Sequence, residues 1–169
     1  MIDPQKFMIV SGGQTGADRA ALDWAIARGI PHGGWCPAGR TAEDGMIPER
    51  YRLTEVPDGS GYRQRTRANV RDSDATLIVS LAAELVGGSE ATAGFARQLG
   101  KPWLHVHPDS DWRACLKNWL NGNRIAILNV AGPRASGAPG VGDFTREVLD
   151  AIVAADGAGN SKGRPVRPD

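Results

Sequence analysis

The sequence is short of several things that would have announced a function. Its 169 residues include 2 cysteines, 3 histidines and 6% aromatic residues, and the formal net charge is +1. Cys36 and Cys115 lie far apart, so neither a disulfide framework nor a cysteine-based zinc site is expected, and a reducing cytoplasm suits the chain best. The near-neutral charge gives no reason to expect nucleic acid or an acidic membrane surface as a partner. No apolar run approaches the roughly 18 residues of a membrane span. The opening MIDPQKFMIV has neither the basic start nor the long apolar stretch of a secretory signal.

Glycine, by contrast, is abundant: 22 residues, gathered into a few loops rather than spread as a linker. Between those loops, strand-like and helix-like patterns alternate. Strands are expected at 7–11, 32–36 (HGGWC), 75–81 (ATLIVSL), 103–107 (WLHVH) and 124–130 (RIAILNV), with an edge strand near 51–56. Helices are expected at 16–28, 61–74, 87–99, 111–120 and from Val141 through Val153, where apolar residues recur at helical spacing. Alternation of this kind means an α/β fold: a mostly parallel sheet of five or six strands with helices on both faces. Residues 1–156 read as a single domain. The polar, Gly- and Pro-containing tail 157–169 reads as disordered.

In such a sheet ligands bind beyond the carboxyl ends of the strands. Three strand-to-helix corners there are rich in small residues: SGGQTGAD (11–18), VGGSEAT (86–92) and NVAGPRASGAPG (129–140). Each leads into a helix N-terminus, where unpaired N–H groups and the helix dipole favour an anion, and glycine lets the anion approach the backbone. The candidate ligand-binding residues are therefore Ser11, Gly12, Gly13, Gln14, Thr15 and Gly16; Gly87, Gly88, Ser89 and Thr92; and Gly132, Arg134 and Ser136. None of the corners is a standard nucleotide fingerprint. GGQTGA lacks the Gly-Lys-Ser/Thr ending of a P-loop and is not G-x-G-x-x-G, and HGGWC runs into Cys36-Pro37 with no acidic residue at the ribose position. ATPase and dinucleotide-dependent dehydrogenase readings are disfavoured.

Arg40 and Asp44 sit in the long loop 37–48, where a guanidinium could hold a phosphate bidentately and a carboxylate could accept from a heterocycle N–H edge. An ion pair closing a surface loop is the plainer role for both. Asp18, in the first turn of its helix, complements the dipole. It is also the residue to test first if there is catalysis. Arg63, Arg67 and Arg71 form a stripe expected on a solvated helix face, with a subunit contact or a ligand approach path as the alternative, and Asp72 or Asp74 is expected to form a turn. His105 and His107 point to one face of a strand but lack an obvious third ligand, so no protein-ligated metal is expected. Cys36 reads as a buried thiol, and Trp35 either as core or as a stacking platform.

Five blocks, SGGQTGADRAALDWA, GWCPAGRTAEDGMIPERY, TRANVRDSDATLIVS, GGSEATAGFARQLGKP and LNVAGPRASGAPG, together resemble the molybdenum carrier family over residues 7–153. That family is similar in fold to the lysine-decarboxylase-like, or LONELY GUY-type, Rossmann proteins, with a permuted strand order. The resemblance implies a Rossmann-like three-layer sandwich, a homodimer or homotetramer, and a site for a phosphorylated pterin- or nucleotide-like ligand, with the molybdenum cofactor as candidate. Phosphoribohydrolases of the wider superfamily carry Pro-Gly-Gly-x-Gly-Thr-x-x-Glu. GGSEATAGF lacks that Glu, and SGGQTGAD offers Asp18 displaced by one residue. A carrier is therefore the leading reading, an N-glycosidic hydrolase of nucleotides the second, and an interaction module using these loops structurally the third.

Overall fold

The computed structural model describes residues 6–157. The expected tail lies outside the described residues except for Gly157, which closes the last helix. Along the chain come β1 (Met8–Val10), α1 (Ala17–Ala27), β2 (His32–Gly33), β3 (Trp35–Cys36), a 3-10 turn (Ala38–Arg40), β4 (Thr41–Ala42), β5 (Gly45–Met46) and β6 (Thr54–Glu55). Then follow α2 (Tyr62–Arg71), β7 (Ala75–Val79), α3 (Gly87–Gln98), β8 (Trp103–Val106), α4 (Trp112–Gly122), β9 (Ile127–Ala131) and α5 (Val141–Gly157).

Five strands make one parallel sheet in the order β2-β1-β9-β7-β8. β7 reads ATLIV and is buried at every position, as a strand covered on both faces should be. Its apolar neighbours come from two directions. One layer is built by Trp24 of α1, Leu116 and Leu120 of α4, and Phe144, Val148, Leu149 and Ile152 of α5, packed with Ile9, Leu77, Leu128 and Val130 of the strands. A second cluster joins Val70 of α2 to Phe95 and Ala96 of α3. The result is an α/β three-layer, Rossmann-like sandwich.

The stretch 32–36 is not the one strand its composition suggests. Gly34, at φ 125°, turns the chain against Ser11, where a Cβ would lie 2.3 Å from the Ser11 carbonyl oxygen. His32–Gly33 therefore pairs with β1, while Trp35–Cys36 leaves the sheet and pairs with β6. Of the expected edge strand at 51–56, only Thr54–Glu55 forms, in this small second ribbon. The loop 37–48 is also more ordered than its composition suggests, because β4 and β5 close it as an antiparallel hairpin tipped by Glu43 and Asp44. Among the described residues no helix is long and apolar enough to cross a membrane.

β1 leads through α1 to β2 on one side of the sheet, and β7 leads through α3 to β8 on the other. The carboxyl ends of β1, β9 and β7 lie between these diverging connections, which is where an open parallel sheet leaves a crevice.

Candidate functional site

A cavity of about 630 Å³ opens at that edge. Loop 11–16 gives Gly12 and Gln14 to its wall, and α1 gives Asp18. The start of α3 gives Gly87, Gly88, Ser89 and Thr92, and the chain after β9 gives Gly132 and Arg134. The three glycine-rich corners thus open into one space. α2 closes it with Tyr62, Arg63, Arg65 and Asn69.

Close backbone packing makes this possible. A Cβ at Gly132 would lie 2.2 Å from the Val79 carbonyl oxygen and 2.6 Å from Ala17 Cβ. One at Gly16, where φ is 84°, would lie 2.4 Å from the Pro133 carbonyl oxygen. Loops from β1, β7 and β9 therefore touch through bare backbone, which no larger residue permits.

Several expected ligand donors are engaged elsewhere, and Ser11, Gly13, Thr15 and Ser136 do not line the cavity. The Ser11 hydroxyl donates to the Val130 carbonyl at 2.6 Å and ties β1 to β9. Thr92 does face the cavity, but its hydroxyl donates to the Gly88 carbonyl of its own helix at 2.8 Å. Thr15 and Ser136 both donate to the Glu43 carboxylate, which also accepts the Ser136 N–H at 3.2 Å. These hydroxyls hold Glu43 below the usual carboxylate range, Ser136 most strongly and Thr15 next. Glu43, exposed at the hairpin tip, is thus an anion supplied by the chain itself that joins the first and third corners. Gln14 completes the joint: its side-chain oxygen accepts from the Thr15 and Glu43 N–H groups, each at 3.0 Å. Gly13 faces Leu53 and Ile47 instead of the cavity.

Arg40 takes a different part from the phosphate clamp its loop suggested. Its guanidinium donates to the carbonyls of Ile47, Pro48, Tyr51 and Leu53 at 2.9–3.4 Å, folding the 37–53 segment around itself. Asp44 faces Arg19, whose fork takes both of its carboxylate oxygens while Nε donates to the Gly13 carbonyl at 3.1 Å. Neither Arg40 nor Asp44 reaches the cavity. Among the described residues Arg40 makes no ion pair, and Asp44 ties the hairpin tip to α1 through Arg19.

What remains for a ligand is a short set of groups. Ser89 is 9% exposed, lines the cavity, and makes no side-chain hydrogen bond to another described residue. It sits in the first turn of α3 beside Gly87 and Gly88, with the free N–H groups of that helix end. Arg63 from α2 and Arg134 from the chain after β9 contribute positive charge to the lining. Arg65, which sequence reasoning missed, lies over Gly12 and donates to Asp18 Oδ2 at 3.0 Å. Its neighbours Arg63 and Arg67 drew attention through their i, i+4 spacing, and Arg65 lies off that stripe. The usable signal was Gly12, the one glycine among the described residues where a Cβ would collide with an arginine side chain.

Asp18 is 5% exposed and accepts the Gln14 N–H at 3.2 Å besides the Arg65 bond. Burial pushes its carboxyl above the ordinary Asp value, against the opposing pull of Arg65. It is the only carboxylate among the described residues that line the cavity.

The other candidates lie apart. Trp35 faces a second cavity of about 220 Å³, and its indole N–H donates to Asp72 at 2.8 Å. Asp74 accepts the N–H groups of Ala126 and Ile127 at 2.9 and 2.8 Å, fixing the start of β9. The His105 and His107 rings lie 5.3 Å apart, and His105 Nε2 shares a 2.6 Å hydrogen bond with the Ser80 hydroxyl. Cys36 is buried with Leu22, Ile47 and Tyr51, and burial pushes its thiol up. Among the described residues no group of three His, Cys, Asp or Glu side chains could hold a metal ion.

Fold and site together define a Rossmann-like α/β protein whose carboxyl-edge cavity is built from three glycine-rich corners. The profile of the circularly permutated YpsA SLOG family matches residues 9–153, and the chain belongs to that family. It is 47% identical to a protein from Syntrophus aciditrophicus SB named "Putative molybdenum carrier protein", whose crystal structure superposes with a TM-score of 0.81 over 86% of this chain and 94% of that one. The structure of (E)-4-hydroxy-3-methyl-but-2-enyl diphosphate reductase aligns at 10% identity over 88% of this chain and 59% of its own, with a TM-score of 0.37, too low to inform fold or function. No curated protein matches the chain.

Proposed function

We propose that the chain is a carrier that binds one phosphorylated heterocycle in the 630 Å³ cavity, with the molybdenum cofactor as the candidate cargo. The observation that carries this reading is the convergence of all three glycine-rich corners on one space lined by Arg63, Arg65 and Arg134 and a single carboxylate. Its size is that of an ordinary small-ligand site. The phosphate belongs at the start of α3, with Gly87, Gly88 and Ser89, because the hydroxyls of Thr15 and Ser136 are already held by Glu43. The lining offers anion donors and no cysteine or histidine. It therefore suits the phosphate and ring of a pterin-type cargo, and any metal would arrive bound to the cargo rather than to the protein. The name of the 47%-identical neighbour supports the same choice. The carrier acts in the cytoplasm as a homo-oligomer.

The second reading, hydrolysis of a nucleotide N-glycosidic bond, draws support from the buried Asp18 carboxyl in the cavity wall, which could hold a proton for a leaving base. One experiment separates the two. Native mass spectrometry of gently purified protein gives the mass of the assembly and of anything bound, and denatured release gives the ligand for phosphorus, molybdenum and pterin fluorescence. A stoichiometric pterin phosphate is the expected result. Cleavage of added nucleoside monophosphates, lost in Asp18→Asn, would overturn the carrier reading in favour of the hydrolase.

A further inference from the structure

An anionic ligand and Asp18 present a conflict. Asp18 stands in the wall of the cavity, and the other charged side chains lining it are Arg63 and Arg65 from α2 and Arg134 from the chain after β9; α3 adds none. A buried carboxylate facing a phosphate would oppose it strongly at short range. As the structure stands, Arg65 neutralises Asp18. Yet the Arg65 guanidinium, with five N–H donors, makes one hydrogen bond, from Nη1 to Asp18 Oδ2, and its Nε is buried without a partner. A buried donor left unpaired is unfavourable, and an acceptor arriving in the cavity would relieve it. The guanidinium lies against the Gly12 backbone, in the place a side chain there would take, so no side chain at that position pins it.

We infer that binding in the cavity is proton-linked: an incoming oxyanion draws Arg65 from Asp18, and Asp18 takes a proton from solvent as it loses its partner. This rests on the reading of the cavity as an anion site. The exchange leaves charges balanced. The ligand gains the guanidinium, and the carboxylate that would repel it becomes a neutral acid. The burial that already pushes the Asp18 carboxyl up favours that proton once the pull of Arg65 is gone. The other groups that meet Asp18 are the Gln14 N–H and the Ser11 hydroxyl, and neither titrates in this range.

The test uses the whole protein and sulfate, a tetrahedral oxyanion whose own charge stays constant between about pH 5 and 8. Sulfate affinity is measured by calorimetry across that range. Wild type is expected to bind more weakly as pH rises, by up to about tenfold per unit, the limit for one linked proton. Asp18→Asn keeps the shape and the Gln14 contact, and is expected to bind with a flat pH profile and more tightly than wild type at the alkaline end. An infrared difference spectrum of wild type with and without sulfate should show a new protonated carboxyl band, a readout that needs no variant. A flat wild-type profile with no such band would overturn the proton linkage and leave the anion site standing. An unchanged slope in Asp18→Asn would also overturn it. Absence of sulfate binding at every pH would count against the anion site itself, and the linkage would fall with it.

Discussion

A Cβ built on Gly12 lies 1.6 Å from Arg65 Nη1, so the lack of a side chain at one position makes the place for one of the three guanidinium groups of the cavity. The φ of Gly12 is outside the left-handed region, and alanine fits the backbone there. Gly12→Ala should therefore displace the guanidinium and spare the fold. We expect sulfate affinity to fall about tenfold or more, in line with loss of a charge-assisted contact. The Tm should move by only a few degrees. Calorimetry and thermal melts read the two effects separately, and unchanged affinity would remove Arg65 from the anion site.

Arg40 gives the opposite separation. Its four carbonyl partners close the segment that carries the hairpin, and its own φ of 53° is already unusual for a side-chain-bearing residue. Arg40→Lys retains the charge but cannot reach four carbonyls in one plane. We expect a loss of about 2–3 kcal/mol in denaturant unfolding and no change in ligand affinity. Weakened binding with full stability would restore Arg40 to the role its loop first suggested.

Glu43 titrates with a definite sign. Its carboxyl is depressed in the folded protein, so the joint it makes is in place above the ordinary Glu range and is lost as pH falls through the folded value. Exchange of the Ser136 amide hydrogen should accelerate in acid in wild type. In Glu43→Ala it should be fast at every pH once corrected for intrinsic exchange. Protection that survives in Glu43→Ala would mean the third corner holds its shape unaided.

Asp72 offers a cleaner titration. Arg71 first, and the Trp35 indole second, hold its carboxyl down at about 2. The Trp35 indole N–H resonance should shift with a midpoint near that value as the pH is lowered, and any stability the pairing lends should disappear between the ordinary Asp range and about 2. Asp72→Asn should abolish the shift. A midpoint near 4 would mean that the pair is open in solution.

The layered fold was readable because its signals are one-dimensional. ATLIV declares a doubly covered strand through an unbroken apolar run, and the glycine corners fall between strand and helix patterns with little ambiguity. The split of HGGWC was hidden, since two adjacent glycines do not say which of them turns, and the choice of Gly34 depends on the Ser11 carbonyl from a distant segment. The site was legible as three places but not as a set of working donors. A hydroxyl in a loop looks the same in sequence whether it faces solvent, a neighbouring strand or a carboxylate. Ser11, Thr15 and Ser136 were settled by Val130 and Glu43, residues from 28 to 119 positions away. Arg65 was obscured by company, one of four arginines on a helix of ten residues.

The pairing of β1 with β9 joins Met8 to Ile127. A ribosome must release the chain through β9 before the first strand can meet its central neighbour. Until then β1 can pair only with β2, and the crevice lacks its third corner. Closing so long a loop is slow, and contacts of this span hold back the rate of folding. On the carrier reading, the crevice is complete only once β9 has docked, and ligand added during refolding should stabilise the product without speeding its formation.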